Sequence, residues 1–247
     1  MNDRDDFYVG YLPMPASHRR LAHVVVPLIM WLLVAVMGVC VLFQRDPGPA
    51  VWDLSAEQTW EGTLYAEPYP MLVSTSERGV RVQLITGELK NSVHDRIRPL
   101  DGQRARLAGF PLERDGRSMI QLSPAEDAIG SLAGAVDSKP DLRPLADVEL
   151  VGEIVDGKCF YGAMKPGNGR AHKACAILCI DAGLPAMFVS TDTAGKATFW
   201  LLTFDGRAEF PTGLRELVAE PVRVRGRASM LGDLHVLDVS LGGVRAL

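Results

Sequence analysis

The sequence predicts a mainly β protein: one N-terminal transmembrane helix, then two copies of a small β-domain, the second carrying a Cys/His insertion. Three observations predict it. One uninterrupted apolar block lies near the N-terminus, short alternating segments fill most of the remainder, and a glycine-marked pattern occurs twice. The chain has 247 residues, 47% of them hydrophobic, enough for two small domains and too apolar for wholesale disorder. A net charge of −4 argues against a binder of phosphate backbones. Four cysteines are too few for a disulfide-dense scaffold.

Residues 21–43 read LAHVVVPLIMWLLVAVMGVCVLF, a run without a formal charge. As a helix it spans roughly 34 Å, the thickness of a bilayer core. A buried helix of this length in a globular protein would carry a polar stripe. Pro27 lies in the first two turns, where a helix in lipid tolerates it, and Cys40 reads as a packing residue. Arg19 and Arg20 precede the block, whereas only Arg45, beside Asp46, follows it. The positive-inside rule makes residues 1–20 a cytoplasmic tail and places everything after the block outside. A signal peptide would have a shorter apolar stretch and a small-residue cleavage site, which QRDPGPAVWD lacks. Leu21-Ala22-His23 departs from the phenylalanine-leucine that follows a twin-arginine pair. The reading is an uncleaved single-pass anchor in a bacterial inner membrane, with the bilayer as one partner and the C-terminal domains periplasmic or extracellular. The tail, with Phe7, Tyr8 and Tyr11, either touches headgroups or docks on a neighbouring membrane subunit.

Residues 44–58 form a linker, proline- and glycine-rich from Asp46 to Ala50. The first β-domain covers 59–123, with strands expected at 59–66, 80–86, 103–109 and 117–122. Residues 124–146 are rich in Ala, Pro and Asp and read as a second linker. The second β-domain covers 147–247, with strands expected at 148–156, 187–190, 197–204, 221–226 and 233–239. Aligning Gly109 with Gly226 sets Asp115-Gly116 opposite Gly232-Asp233, two hairpin turns that each supply a glycine for positive φ. Gly62 and Gly152 mark the first strands in the same way. A glycine-marked first strand, a central pair and a strand–turn–strand ending resemble the OB-fold, a five-stranded barrel. The sequence therefore implies two tandem OB-like domains.

Gly62 to Gly109 is 47 residues and Gly152 to Gly226 is 74, so the second copy carries about 27 extra residues. The insertion falls at 156–183, DGKCFYGAMKPGNGRAHKACAILCIDAG, and holds every cysteine outside the membrane block. Cys159 is expected to close the first strand, and a short helix is expected from Arg170 to Asp181, stopped by Gly183. His172, Cys175 and Cys179 then fall on one helical face. With Cys159 brought back by the loop they form a Cys₃His set for zinc or another metal ion. Two other readings stay open. One is a disulfide of Cys159 with Cys175 or Cys179, suited to an oxidising compartment. The other is a group of redox-active thiols.

Several chemistries are excluded by missing motifs. There is no C-x-x-C-H for covalent haem, no C-x-x-C of thioredoxin type, and no G-x-S-x-G, H-E-x-x-H or P-loop. Arg223, Arg225 and Arg227 alternate on a strand and read as a solvated face, so no nucleic-acid partner is expected. His94 and His235 stand alone, and Trp52, Trp60 and Trp200 read as core or interface aromatics.

The stretch GEIVDGKCFYGAMKPGNGRAHKACAILCIDAGLPAMF resembles a motif of bacterial membrane-anchored proteins that accompany respiratory or molybdenum- and iron-containing redox enzymes. That resemblance implies a non-catalytic accessory or assembly subunit with another membrane or periplasmic subunit as partner. One membrane helix plus an external OB barrel also resembles the haem chaperone of cytochrome c maturation. That family's histidine is followed four residues later by tyrosine, and here Ala176 follows His172, which speaks against haem handling. The alternative classes are a thiol–disulfide oxidoreductase, through Cys175 or Cys179, and a haem- or metal-handling chaperone.

Overall fold

The computed structural model describes residues 13–44, 50–77, 79–191 and 197–247. The aromatic tail residues Phe7, Tyr8 and Tyr11 and most of the Pro/Gly linker lie outside the described residues. The chain divides into a helical unit ending at Asp46 and a β unit from Pro47 to Leu247.

The helical unit runs as Ala16–Arg20, a widened turn at Leu21–Val25, and Val26–Leu42. The widened turn ends just before Pro27, which has no N–H to continue the regular ladder. The helix His18–Leu42 is long and apolar enough to cross a membrane, and none of its apolar window is buried by protein.

The β unit begins with β1 (Val51–Trp52) and continues as β2 (Gln58–Tyr65), β3 (Met71–Ser76), β4 (Gly79–Thr86), β5 (Arg104–Arg114) and β6 (Arg117–Leu122). β2, β3 and β4 form an antiparallel meander, β4 pairs in parallel with β6, and β5 pairs with both β6 and β2. The result is a closed five-stranded barrel. After β7 (Ile129–Ser131) come β8 (Leu142–Asp156), β9 (Ala186–Thr191), β10 (Ala197–Phe204), β11 (Pro221–Leu231), β12 (Leu234–Val239) and β13 (Val244–Ala246). β8 to β12 close a second barrel by the same sequence of pairings, including the parallel β10–β12 contact. β7 and β13 lie alongside β5 and β11, each preceded by a 3₁₀ turn.

The registers correspond residue by residue. Gly62 faces Ala105, four residues before Gly109, and Gly152 faces Val222, four residues before Gly226. The turn Asp115-Gly116 is flanked by the pair Arg114 and Arg117, and Gly232-Asp233 by Leu231 and Leu234. Asp115 and Gly116 both have positive φ, as a type I′ turn requires, whereas in the second hairpin Gly232 supplies it. Ten positions separate Thr63 from its partner Val73, and thirty-six separate Glu153 from its partner Val189. That 26-residue excess places nearly all of the insertion in the β8–β9 connection.

Besides the short strands β1, β7 and β13, none of which was expected and two of which lie in the segments read as linkers, the structure departs from the expected elements in three places. β3 was not expected, because Met71, Leu72 and Val73 are all buried and show no alternation. β8 starts at Leu142, inside the segment read as a linker. Its first half pairs only with β11, and an edge position tolerates Pro144. β5 and β11 each run five residues past their glycine, into the hairpins.

Each barrel has its own apolar core, around Leu64, Leu107 and Ile120 in the first and Ile154, Phe188 and Leu237 in the second. A third cluster joins the barrels, with Met71, Leu112 and Met119 of the first packed among Met187, Leu201 and Val236 of the second. Polar contacts reinforce that seam. Asp233, at the second hairpin tip, accepts a hydrogen bond from the Val82 N–H at 2.8 Å, and Arg117 donates to the Asp233 carbonyl at 2.9 Å.

Candidate metal centre

The insertion leaves the barrel at Asp156, the last residue of β8. The carboxylate of Asp156 organises the first turn of the insertion and its buried histidine. Its Oδ1 accepts the backbone N–H of Cys159 at 2.8 Å, starting the helical turn Cys159–Ala163. Cys159 therefore opens a turn instead of closing the strand, because Asp156 satisfies the N–H that further pairing would have used. The Oδ2 atom of Asp156 lies 2.8 Å from Nε2 of His172, and both side chains are buried. Gly167 lets the returning loop pass against the backbone of Cys159, where a Cβ would collide. The chain then forms a 3₁₀ turn, Arg170–His172, and the helix Lys173–Asp181. Gly183, with φ of 84°, ends that helix as expected.

The ligand atoms of Cys159, His172 and Cys175 lie within 4.8 Å of one another, and so do those of Asp156, Cys159 and Cys179. All four residues expected to form the site are thus gathered around Cys159. His172 is buried, not turned to solvent. The disulfide expected between Cys159 and Cys175 or Cys179 is not formed: these three thiols are free, as is Cys40 in the apolar helix.

Two lysines complete the site. Lys90, on the loop after β4, donates to Sγ of Cys175 at 2.7 Å and to Sγ of Cys179 at 3.3 Å. Lys158 is buried and donates to the carbonyls of Gly87 and Leu89 at 2.7 Å each, holding the loop that delivers Lys90. A lysine of each barrel therefore braces the other's contribution.

The electrostatics favour an anionic Cys179 and a neutral Cys159. A hydrogen bond from the Cys159 thiol, helped by Lys90 and opposed by burial and Asp156, brings Cys179 down to about 7. The same hydrogen bond, with burial and the charge of Asp156, pushes Cys159 up. Burial by itself would lower Lys90, but its bonds to the two sulfurs and their charge hold it above the ordinary lysine value. Burial lowers Lys158. The arrangement offers three sulfurs and an imidazole whose ring is fixed through Nε2, with cations beside them to balance thiolate charge. Cys159, Cys175 and Cys179 also form one wall of a cavity of about 960 Å³ between the barrels.

The remaining sequence candidates lie elsewhere. His94 is half-exposed and contacts Glu67 at 3.1 Å. His235 packs against Trp200 with the two rings tilted by 59°, and accepts from Arg117. Arg223 and Arg225 both pair with Glu149 on the neighbouring strand. Trp60 packs on the first barrel's core and Trp200 belongs to the second, whereas Trp52 lines the cavity. Sequence reasoning missed Lys90 and Lys158, and it used Asp156 only as the start of the insertion.

Comparison of the chain with protein-family models, with curated proteins and with solved structures returned no match.

Proposed function

We propose that the chain is a membrane-anchored extracytoplasmic protein whose two OB-like barrels present a buried centre for a soft or borderline metal ion, zinc being the simplest case. The ligands are Cys159, His172, Cys175 and Cys179. One observation carries this reading: His172 is buried with its ring held by Asp156, and a nitrogen of it converges with the sulfurs of Cys159 and Cys175. A disulfide would need no imidazole there. A carboxylate bound to one ring nitrogen leaves the other for a metal, a common outer-shell arrangement. Three thiolates and an imidazole suit a closed tetrahedral site, which stabilises a fold without catalysing a reaction.

The OB-like identity is supported by the strand pairing, in which the first strand meets the second and fourth and the third runs parallel to the fifth. The arginine pair before the apolar helix supports an outward-facing β unit. Together with the motif resemblance, these features favour an accessory or assembly subunit of a bacterial membrane redox complex over an enzyme.

A second reading, a thiol–disulfide oxidoreductase, is favoured by one observation: the sulfurs of Cys159 and Cys179 lie within 4.8 Å of each other, with the Lys90 ammonium 3.3 Å from the Cys179 sulfur. In that reading the Cys179 thiolate attacks a disulfide of a partner, releasing one partner thiolate, and Cys159 then displaces the second, so that Cys159 and Cys179 are joined and the partner leaves with two reduced sulfurs and the Cys159 proton.

Metal analysis and intact mass of the full chain, purified with and without reductant, separate the two. The metal reading expects one metal ion per chain, lost in Cys159→Ser and in His172→Ala, with a tetrahedral thiolate spectrum after cobalt(II) substitution. A metal-free chain that loses two hydrogens without reductant would overturn it in favour of the dithiol.

A further inference from the structure

The cavity between the barrels has features that a closed metal centre does not use. Its volume of about 960 Å³ is at the upper end for small-molecule sites. Much of its wall is apolar, formed by Leu54, Phe110, Pro124 and Met164 together with Trp52. Three polar groups on lining residues are left incomplete. The indole Nε1 of Trp52 and Oε1 of Gln121 are buried without a hydrogen-bond partner, and Gln121 as a whole is 3% exposed. Lys158 is 2% exposed, and among the described residues no carboxylate pairs with it. Its ammonium uses two donors on backbone carbonyls and lies 5.8 Å from the Trp52 ring, so one donor is left over.

Each of these defects is costly in an apolar surrounding. A buried donor or acceptor left unpaired forfeits its hydration, and a buried cation forfeits more. One ligand class answers Lys158: a molecule with an apolar body and a single anionic, hydrogen-bond-accepting head. The body would occupy the apolar wall and the head would take the spare proton of Lys158. The indole Nε1 of Trp52 and Oε1 of Gln121 are sealed from the cavity and take no part.

We infer that the inter-barrel cavity is a binding site for an apolar monoanion, a carboxylate on an aliphatic or aromatic body. The site draws β1, β5 and β6 from the first barrel and the insertion from the second, so it exists only where the two barrels meet. The inference does not rest on the metal reading, since Trp52, Gln121, Lys158 and the apolar wall are not ligands of the proposed ion.

Titration calorimetry on the full chain as purified, in lipid nanodiscs with empty nanodiscs as the blank, tests it. Octanoate and 2-naphthoate are the carboxylate probes and octanol is the neutral control. Saturable binding of at least one carboxylate is expected, with octanol about tenfold weaker or more, as for loss of a charge-assisted hydrogen bond. The two carboxylates separate a chain-shaped site from a ring-shaped one. Lys158→Met should erase the preference for carboxylate over alcohol. Met164→Trp, a change at an exposed position on the wall, should weaken every probe by about tenfold or more. No saturable binding of either carboxylate, equal binding of octanol and octanoate, or affinities unchanged by Met164→Trp would overturn the inference.

Discussion

Asp156 and His172 form a hydrogen-bonded pair at 2.8 Å whose side chains are 0% and 2% exposed. The pair joins the end of the first strand of the second barrel to the start of the cysteine helix. A carboxylate so deeply placed is tolerated because both oxygens are used, one by His172 and one by the Cys159 N–H.

Replacing Asp156 by Asn separates its two duties. The amide oxygen can still accept from the Cys159 N–H, but the charge that orients and polarises His172 is gone. Metal affinity should fall about 10–100-fold, the usual effect of losing such an outer-shell partner. Asp156→Ala should in addition lower stability by roughly 1–3 kcal/mol, because the Cys159 N–H is left buried and unpaired. Competition with a chromophoric chelator reads the first effect and thermal unfolding the second. Equal metal affinity in wild type and Asp156→Asn would remove Asp156 from the metal reading.

Lys90 reaches the sulfurs of Cys175 and Cys179 from the other barrel. Three thiolates around a divalent ion leave one excess negative charge, which Lys90 offsets. Lys90→Met should weaken metal binding by about tenfold or more, the scale of one charge-assisted hydrogen bond. Lys90→Arg should restore part of the loss, since the charge and N–H donors remain. Metal affinity in Lys90→Met equal to that of the wild type would mean that the contact contributes nothing to binding.

The glycines that mark the first strands are held by close backbone approach. A Cβ on Gly152 would run into the Val189 carbonyl and the Phe188 ring, and one on Gly62 into the Val73 carbonyl. Gly152→Ala and Gly62→Ala should each destabilise the β unit by roughly 2 kcal/mol or more, through overpacking that backbone cannot relieve. Gly130→Ala, in β7 with open space around it, should stay within about 0.5 kcal/mol. Chemical denaturation of the three variants makes the comparison.

Local signals were legible in the sequence, and contacts between the barrels were not. The hairpins could be read because Asp115-Gly116 and Gly232-Asp233 are short turn signals flanked by alternation. The cysteine site could be read because His172, Cys175 and Cys179 obey helical spacing and because two glycine distances differ. β3 could not, since a strand buried on both faces loses its period, and Pro68 and Pro70 beside it read as loop. Lys90 was illegible for a different reason. It lies 85 residues from Cys175, and only the docking of one barrel on the other brings them together. Lys158, beside Cys159 in sequence, looks like an ordinary surface lysine until burial reveals it.

The seam between the barrels also carries a pH dependence. Tyr69 and Tyr161 both lie in the shared apolar cluster, and burial pushes both phenols up to about 12 from 10.0. The Tyr69 hydroxyl donates to the Ala208 carbonyl at 2.9 Å, so it bonds as the neutral phenol. In the unfolded chain each phenol ionises near pH 10, while in the folded chain it stays protonated. Their contribution is therefore fully present below about pH 10 and is lost as pH rises toward about 12. Each shift corresponds to on the order of 2–3 kcal/mol at most. Thermal melts taken across that range should fall steeply for the wild type. Each of Tyr69→Phe and Tyr161→Phe should flatten part of the fall, and the double variant should flatten most of it. A double variant that loses stability as steeply as the wild type would place the alkaline transition outside this seam.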